Sequence, residues 1–195
     1  MKNNIYLLLF IVLCMSCGDD YVPKPKAFLR LDYPQHKYVR PDFTGLPFSF
    51  ETNNLATEVN VKPMRAATES YGIDLQYPSM KGTIFVTYKA VNNDKKVLEK
   101  YLRDAEKLTI EHMIKAEEVP PMFPFENKKE RVYGVFSEVK GDVASPAQFY
   151  VTDSVNHFLT GSLYFYAKPN YDSILPAANY LEKDIQHIME TLRWK

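Results

Sequence analysis

Asp153, Ser154 and His157 are the one close grouping of carboxyl, hydroxyl and imidazole in this chain. A serine becomes a nucleophile when an imidazole takes its proton, a third group orients that ring, and donors wait for the oxyanion. On a strand-to-strand turn these three residues could meet, so a hydrolase using Ser154 and His157 is one reading. No Gly-x-Ser-x-Gly elbow accompanies them, and that elbow is what presents a serine in the commonest hydrolase architecture. Asp and Ser in tight turns also bond to their own backbone, so the turn is the stronger expectation. The four histidines, His36, His112, His157 and His187, never fall at a His-x-x-x-His spacing, which gives no reason to expect a metal site. His112 lies on an apolar helical stripe and reads as a core or edge histidine; His187 lies off its stripe and reads as solvated. Gly-x-Gly-x-x-Gly and Walker patterns are absent from a chain with only seven glycines, so no phosphate cradle is expected. The expectation is a protein that is not an enzyme, with no metal and no dissociable cofactor.

The remaining reactive side chain is a thiol, Cys17, behind Leu13-Cys-Met-Ser16. The apolar run from Ile5 to Met15 has about eleven residues, short of the ~20 that span a bilayer. With Lys2 before it and small Ser16 after it, the run has the anatomy of an export signal cut between Ser16 and Cys17. The segment resembles the lipobox of bacterial lipoproteins, with Cys14 where Leu or Val is usual at the third position before the cut. Cys14 itself follows bulky Leu13, which disfavours it as the modified residue. What the resemblance implies is a thioether to diacylglycerol on the Cys17 sulfur, an N-acyl chain such as palmitate on its amine, and loss of residues 1–16. Residues 17–27 then form a lipidated tether, since Pro23 and Pro25 alternate with Lys24 and Lys26 in an extended, solvated pattern.

No cysteine follows Cys17. That excludes a disulfide framework, Cys-based zinc sites and a thiol nucleophile from the mature chain, so residues 28–195 must hold together through one apolar core. Twenty-four basic and twenty-four acidic side chains cancel. A nucleic-acid partner would call for a basic face, and attraction to anionic lipid would call for a basic cluster; neither is present. Attachment to a membrane is left to the acyl chains, at ~0.8 kcal/mol per buried methylene.

The elements follow from period. Strands are expected at 28–33, 48–50, 58–62, 72–77 and 83–90, where Ile73, Leu75 and Tyr77, then Ile84, Val86 and Tyr88, share a face. Residues 34–47, with Pro34, Pro41, Gly45 and Pro47, read as a surface connection. Leu98, Tyr101, Leu102, Ala105, Leu108, Thr109, His112 and Ala116 make a helical stripe, with Asn93 or Asp94 as cap and Pro120-Pro121 as terminator. Residues 119–130 read as a connection. Strands at 131–139, 147–152 and 158–167 follow, separated by turns short enough for antiparallel pairing. A last helix is expected over 173–192, capped by Asp172 and tolerating Pro176 in its first turn, with Trp194 closing the terminus onto the core. Runs of strands between long helices specify α+β with a largely antiparallel sheet packed by two amphipathic helices. The layout is similar to that of PsbP/Mog1-type domains.

Tyr164, Phe165, Tyr166 and Tyr171 crowd the end of the last long strand. Cross-strand packing accounts for them; exposed, Tyr164, Tyr166 and Tyr171 would make an interaction patch or the wall of a small-ligand or lipid pocket.

Several segments together resemble the GldD-type gliding-motility lipoproteins. They are Tyr21-Val-Pro-Lys-Pro-Lys26, Leu29-Arg-Leu-Asp-Tyr-Pro34, Lys81-Gly-Thr-Ile84, Asp104 to Ala116, Gln148 to Ser154, His157-Phe-Leu159, Pro169 to Ile174 and Glu190 to Lys195. The resemblance implies a lipid-anchored envelope protein of gliding motility and the associated type IX secretion machinery, facing the periplasm and working through contacts with other envelope proteins. It implies no catalytic residues.

Overall fold

The computed structural model describes residues 32–113, 122–141, 143–166 and 171–195, without the side chains of residues 58, 112, 113 and 171. The leader with Cys14, Ser16 and Cys17, the tether, and most of the strand expected at 28–33 lie outside them; Asp32 and Tyr33 at its end are not in a strand. Eleven strands are described: β1 Tyr38–Val39, β2 Phe48–Ser49, β3 Thr52–Asn53, β4 Glu58–Pro63, β5 Ser70–Tyr77, β6 Gly82–Ala90, β7 Phe123–Asn127, β8 Val132–Glu138, β9 Ala147–Thr152, β10 His157–Phe165 and β11 Arg193–Trp194. The helices are α1 Lys95–Met113 and α2 Tyr171–Thr191.

Two meanders make the main sheet, in the order β4-β5-β6-β10-β9-β8-β7. They join where β6 runs antiparallel to β10, from Gly82 opposite Phe165 to Ala90 opposite His157. Every pairing in this sheet is antiparallel, as short connections require. The fold is therefore α+β. Alternation sorts the two faces: Ile73, Leu75, Tyr77, Ile84, Val86 and Tyr88 are all buried in one large core. Ile174, Ala178, Leu181, Ile185, Ile188, Met189 and Leu192 are buried along α2, and from Leu181 onward the stripe packs into that same core. On the opposite face Tyr101 of α1 and Phe158 of β10 start a second, smaller cluster with Leu98, Leu102, Ala105 and Tyr150. Each helix thus covers one side of the sheet.

Helix starts follow local chemistry. The Asp94 carboxylate accepts the backbone N–H groups of Lys96 at 2.8 Å and Val97 at 3.3 Å, capping α1. α2 begins at Tyr171, two residues earlier than the pattern suggests, so Asp172 sits inside the first turn. Its negative charge still suits that end of the helix dipole. Pro176 consequently lies in the second turn, where it has no N–H to give to the helix.

Two expectations fail for instructive reasons. Residues 123–127 form β7, not a connection. This strand closes the sheet at its edge, where Pro124 is tolerated because only one side of an edge strand needs ladder bonds. Residues 34–47 are not all surface: Phe43 and Leu46 are buried in the main core, and Tyr38–Val39 pairs with Thr52–Asn53. Trp194 does close the terminus. Its strand pairs with Phe48–Ser49, its ring stacks on His157 at 5.0 Å, and its Nε1 donates to the Arg131 carbonyl at 3.1 Å.

Candidate functional site

The Asp153 turn is occupied by its own backbone. Asp153 Oδ1 accepts the N–H groups of Val155, Asn156 and His157 at 3.0, 2.8 and 2.8 Å. Burial pushes this carboxyl up, but the three amides outweigh it and leave the pKa below the ordinary value. Ser154 stands in the left-handed region at φ 68°, its amide donating to Thr152 Oγ1 at 2.9 Å. His157 Nδ1 meets the Tyr88 hydroxyl at 2.9 Å, and burial lowers the imidazole pKa. The geometry is that of a turn: the carboxylate orients the chain, and the imidazole is engaged with Tyr88 and Trp194.

The polar concentration that sequence reasoning missed lies where residues 36–54 cross α2. Asp184 of α2 is 1% exposed. Its Oδ1 accepts the Tyr38 hydroxyl at 2.9 Å and Asn53 Nδ2 at 3.0 Å, with His36 Nε2 at 3.5 Å. Asn53 Nδ2 also reaches the Tyr180 hydroxyl at 3.1 Å. The Tyr77 hydroxyl neighbours Asp184 from the sheet side, and burial followed by the Asp184 charge raises its pKa. Neither that hydroxyl nor Asp184 Oδ2 has a partner of good geometry. Burial is also the leading influence on Asp184, holding its pKa above the usual carboxylate value despite the bonds from Asn53 and Tyr38.

His187, one turn from Asp184, is not solvated as its position off the apolar stripe suggests. Its Nε2 lies 2.9 Å from Glu51 Oε2, and its ring stacks on Tyr38 with centroids 3.5 Å apart. The His187 bond lowers the Glu51 pKa. Arg40 bonds both Glu51 and the carbonyl of Thr191, the last residue of α2. His36 stacks on Tyr180 at 3.9 Å. Histidines scattered in sequence are thus gathered as fasteners between the segment that leads to residue 32 and the final helix. Nothing in their spacing revealed this, because the partners lie about 140 residues away.

The aromatic cluster separates by strand alternation. Tyr164 meets Phe85 edge-on at 5.8 Å on the α1 side of the sheet. Tyr166 is 69% exposed, with its hydroxyl 2.6 Å from Thr83 Oγ1. A cavity of about 260 Å³ nearby is lined by Tyr33, Met80, Lys81, Phe165 and Ile174, not by Tyr164 or Tyr166. The Tyr171 side chain lies outside the described residues. Among those residues no group of His, Cys, Asp and Glu is arranged to hold a metal, and no helix is long and apolar enough to cross a membrane.

On the far side of α2 from Asp184, Glu182 faces Glu138 of β8. Burial, then the Glu138 charge, pushes Glu182 up to about 7, with Lys140 partly offsetting. A carboxyl whose folded pKa exceeds its unfolded one stabilises at low pH and loses that contribution as pH rises through about 7. Glu182→Gln should therefore raise the melting temperature by about 2–6 °C at pH 8, worth about 1–2 kcal/mol after solvent screening. At pH 4 it should change little. Paired thermal melts check both arms.

No curated protein and no solved structure matches the chain. Residues 18–194 match the model of the gliding motility lipoprotein GldD family, and with that match running from the residue after Cys17 through the last strand, the chain belongs to that family.

Proposed function

We propose that this protein is a non-enzymatic, lipid-anchored accessory of gliding motility and of the associated type IX secretion machinery. Family membership carries the motility role and the membrane-anchored envelope location. The finer reading is that Cys17 bears diacylglycerol and an N-acyl chain, that residues 1–16 are removed, and that residues 28–195 act from the periplasmic side through protein contacts. Supporting it are the Ser16-Cys17 junction directly before the matched region and the Asp153 turn, whose groups are spent on local bonds. The sheet covered by a helix on each face supports reading the domain as PsbP/Mog1-like.

Anchoring is tested by Cys17→Ala. Metabolic labelling with radioactive palmitate should drop to background, the protein should leave the membrane fraction, and gliding should fail while the released domain melts as before. A variant that stays labelled, or stays anchored and fully functional, sinks the proposal.

A further inference from the structure

Strand β7 and helix α2 leave a groove of about 330 Å³ between them, at the edge of the main sheet. Phe123 pairs with Phe136, and Phe125 with Gly134, which puts both β7 rings on the face that α2 packs. Phe123 is 45% exposed there, whereas its β8 partner Phe136 is buried. Phe123, Phe125, Phe136 and Met189 supply the apolar lining; Glu138 and Glu190 supply carboxylates, and no described lining residue is basic. Glu182 and Gln186 precede Glu190 at four-residue steps, so one stripe of α2 runs acidic along this side. Glu138 and Glu182 repel one another, and Lys140 offsets only part of that repulsion.

The edge itself is a poor place for strand addition, because Pro124 has no N–H to donate. Side chains entering the groove are the better fit. Its apolar floor needs an apolar residue and its rim needs positive charge. We infer that this groove is a docking site for a partner protein's short segment carrying an apolar side chain flanked by Lys or Arg. The inference deepens the proposed function and rests on it, since it names the surface and the chemistry of one contact.

The test uses detergent-solubilised full-length lipoprotein and a fluorescein-labelled peptide, Lys-Leu-Lys-Phe-Lys-Leu, read by anisotropy. The same peptide with Glu for Lys is the charge control. The basic peptide should bind and the acidic one should not. Binding should weaken at least tenfold in Phe123→Ser and in the paired Glu138→Gln, Glu190→Gln protein, each with an unchanged melting curve at pH 6. It should be unaffected by Glu106→Gln with Glu111→Gln on α1. Equal binding by all variants, or no binding, overturns the inference. So does binding that appears only after residues 114–121 are replaced by a Gly/Ser linker, which would make the chain's own segment the occupant. Dimerisation abolished by Phe123→Ser would likewise overturn it in favour of a second copy. In cells, groove variants that remain anchored but lose gliding support the inference; groove variants that glide while Cys17→Ala does not would sink it and leave the proposed function standing.

Discussion

Asp184→Ala should destabilise the domain by about 2–4 kcal/mol, whereas Asp184→Asn should stay within about 1 kcal/mol of the parent at pH 7. The alanine strips the Tyr38 hydroxyl and Asn53 Nδ2 of their shared acceptor in a site that is 1% exposed. Asn53 keeps the Tyr180 hydroxyl, so the loss falls short of two orphaned donors. Asparagine keeps the accepting oxygen, and its amide faces the otherwise unpartnered Tyr77 hydroxyl. The direction of the Asp184 pKa decides between charge and hydrogen bonding as the stabiliser. Burial holds that pKa up, so the negative charge is tolerated at a cost, and what stabilises is the oxygen that receives two donors. Because the folded carboxyl binds its proton more tightly than the unfolded one, its contribution falls as pH rises through the folded value. The advantage of Asn over Asp should accordingly grow from pH 3, below the ordinary carboxylate value of 3.8, to pH 8. Urea melts of the three proteins at both pH values check this. An alanine variant as stable as the parent would mean that the crossing of residues 36–54 over α2 does not depend on Asp184.

Gly134→Ala should be the more damaging change, at about 3 kcal/mol or more, with poor soluble yield. A Cβ at position 134 would lie 1.9 Å from the Tyr150 carbonyl oxygen and 2.8 Å from the Val151 Cα, both backbone atoms of the neighbouring strand. A strand held on both sides cannot move aside without breaking ladder bonds between β8 and β9. Gly72→Ala is the internal control, since its Cβ would press on the Met64 side chain at 3.3 Å and reach backbone, the Lys62 carbonyl oxygen, no closer than 4.0 Å. Met64 is exposed and flexible, so that variant should melt within about 2 °C of the parent. Similar melting for the two alanine variants would mean that β8 and β9 are not held as closely as the described geometry requires.

Much of the architecture was legible because it is local. Alternation at Ile73, Leu75 and Tyr77, and the three-four spacing from Leu98 to Thr109, each set a period and a buried face without reference to the rest of the chain. β7 was not legible. Phe-Pro-Phe-Glu-Asn between charge-rich flanks carries a proline that propensity counts against a strand, and its pairing with β8 overrides that preference. Phe43 and Leu46 were hidden by the prolines around them. The solvated reading of His187 failed because helical periodicity describes a residue's own element. It is silent about a segment arriving from residues 38 and 51.

The amino-acid sequence by itself determined the class of fold, the disulfide-free core after Cys17, and membership of a lipoprotein family, because these depend on composition, period and motif order along the chain. Only the tertiary structure decided which polar groups share an environment. Asp184, Tyr38 and Asn53 converge, as do His187 and Glu51, and Glu138 and Glu182 are forced together. Burial, pKa and hydrogen-bond partnership are properties of position in space. Neighbours on different elements, far apart along the chain, leave no periodic trace that would announce them.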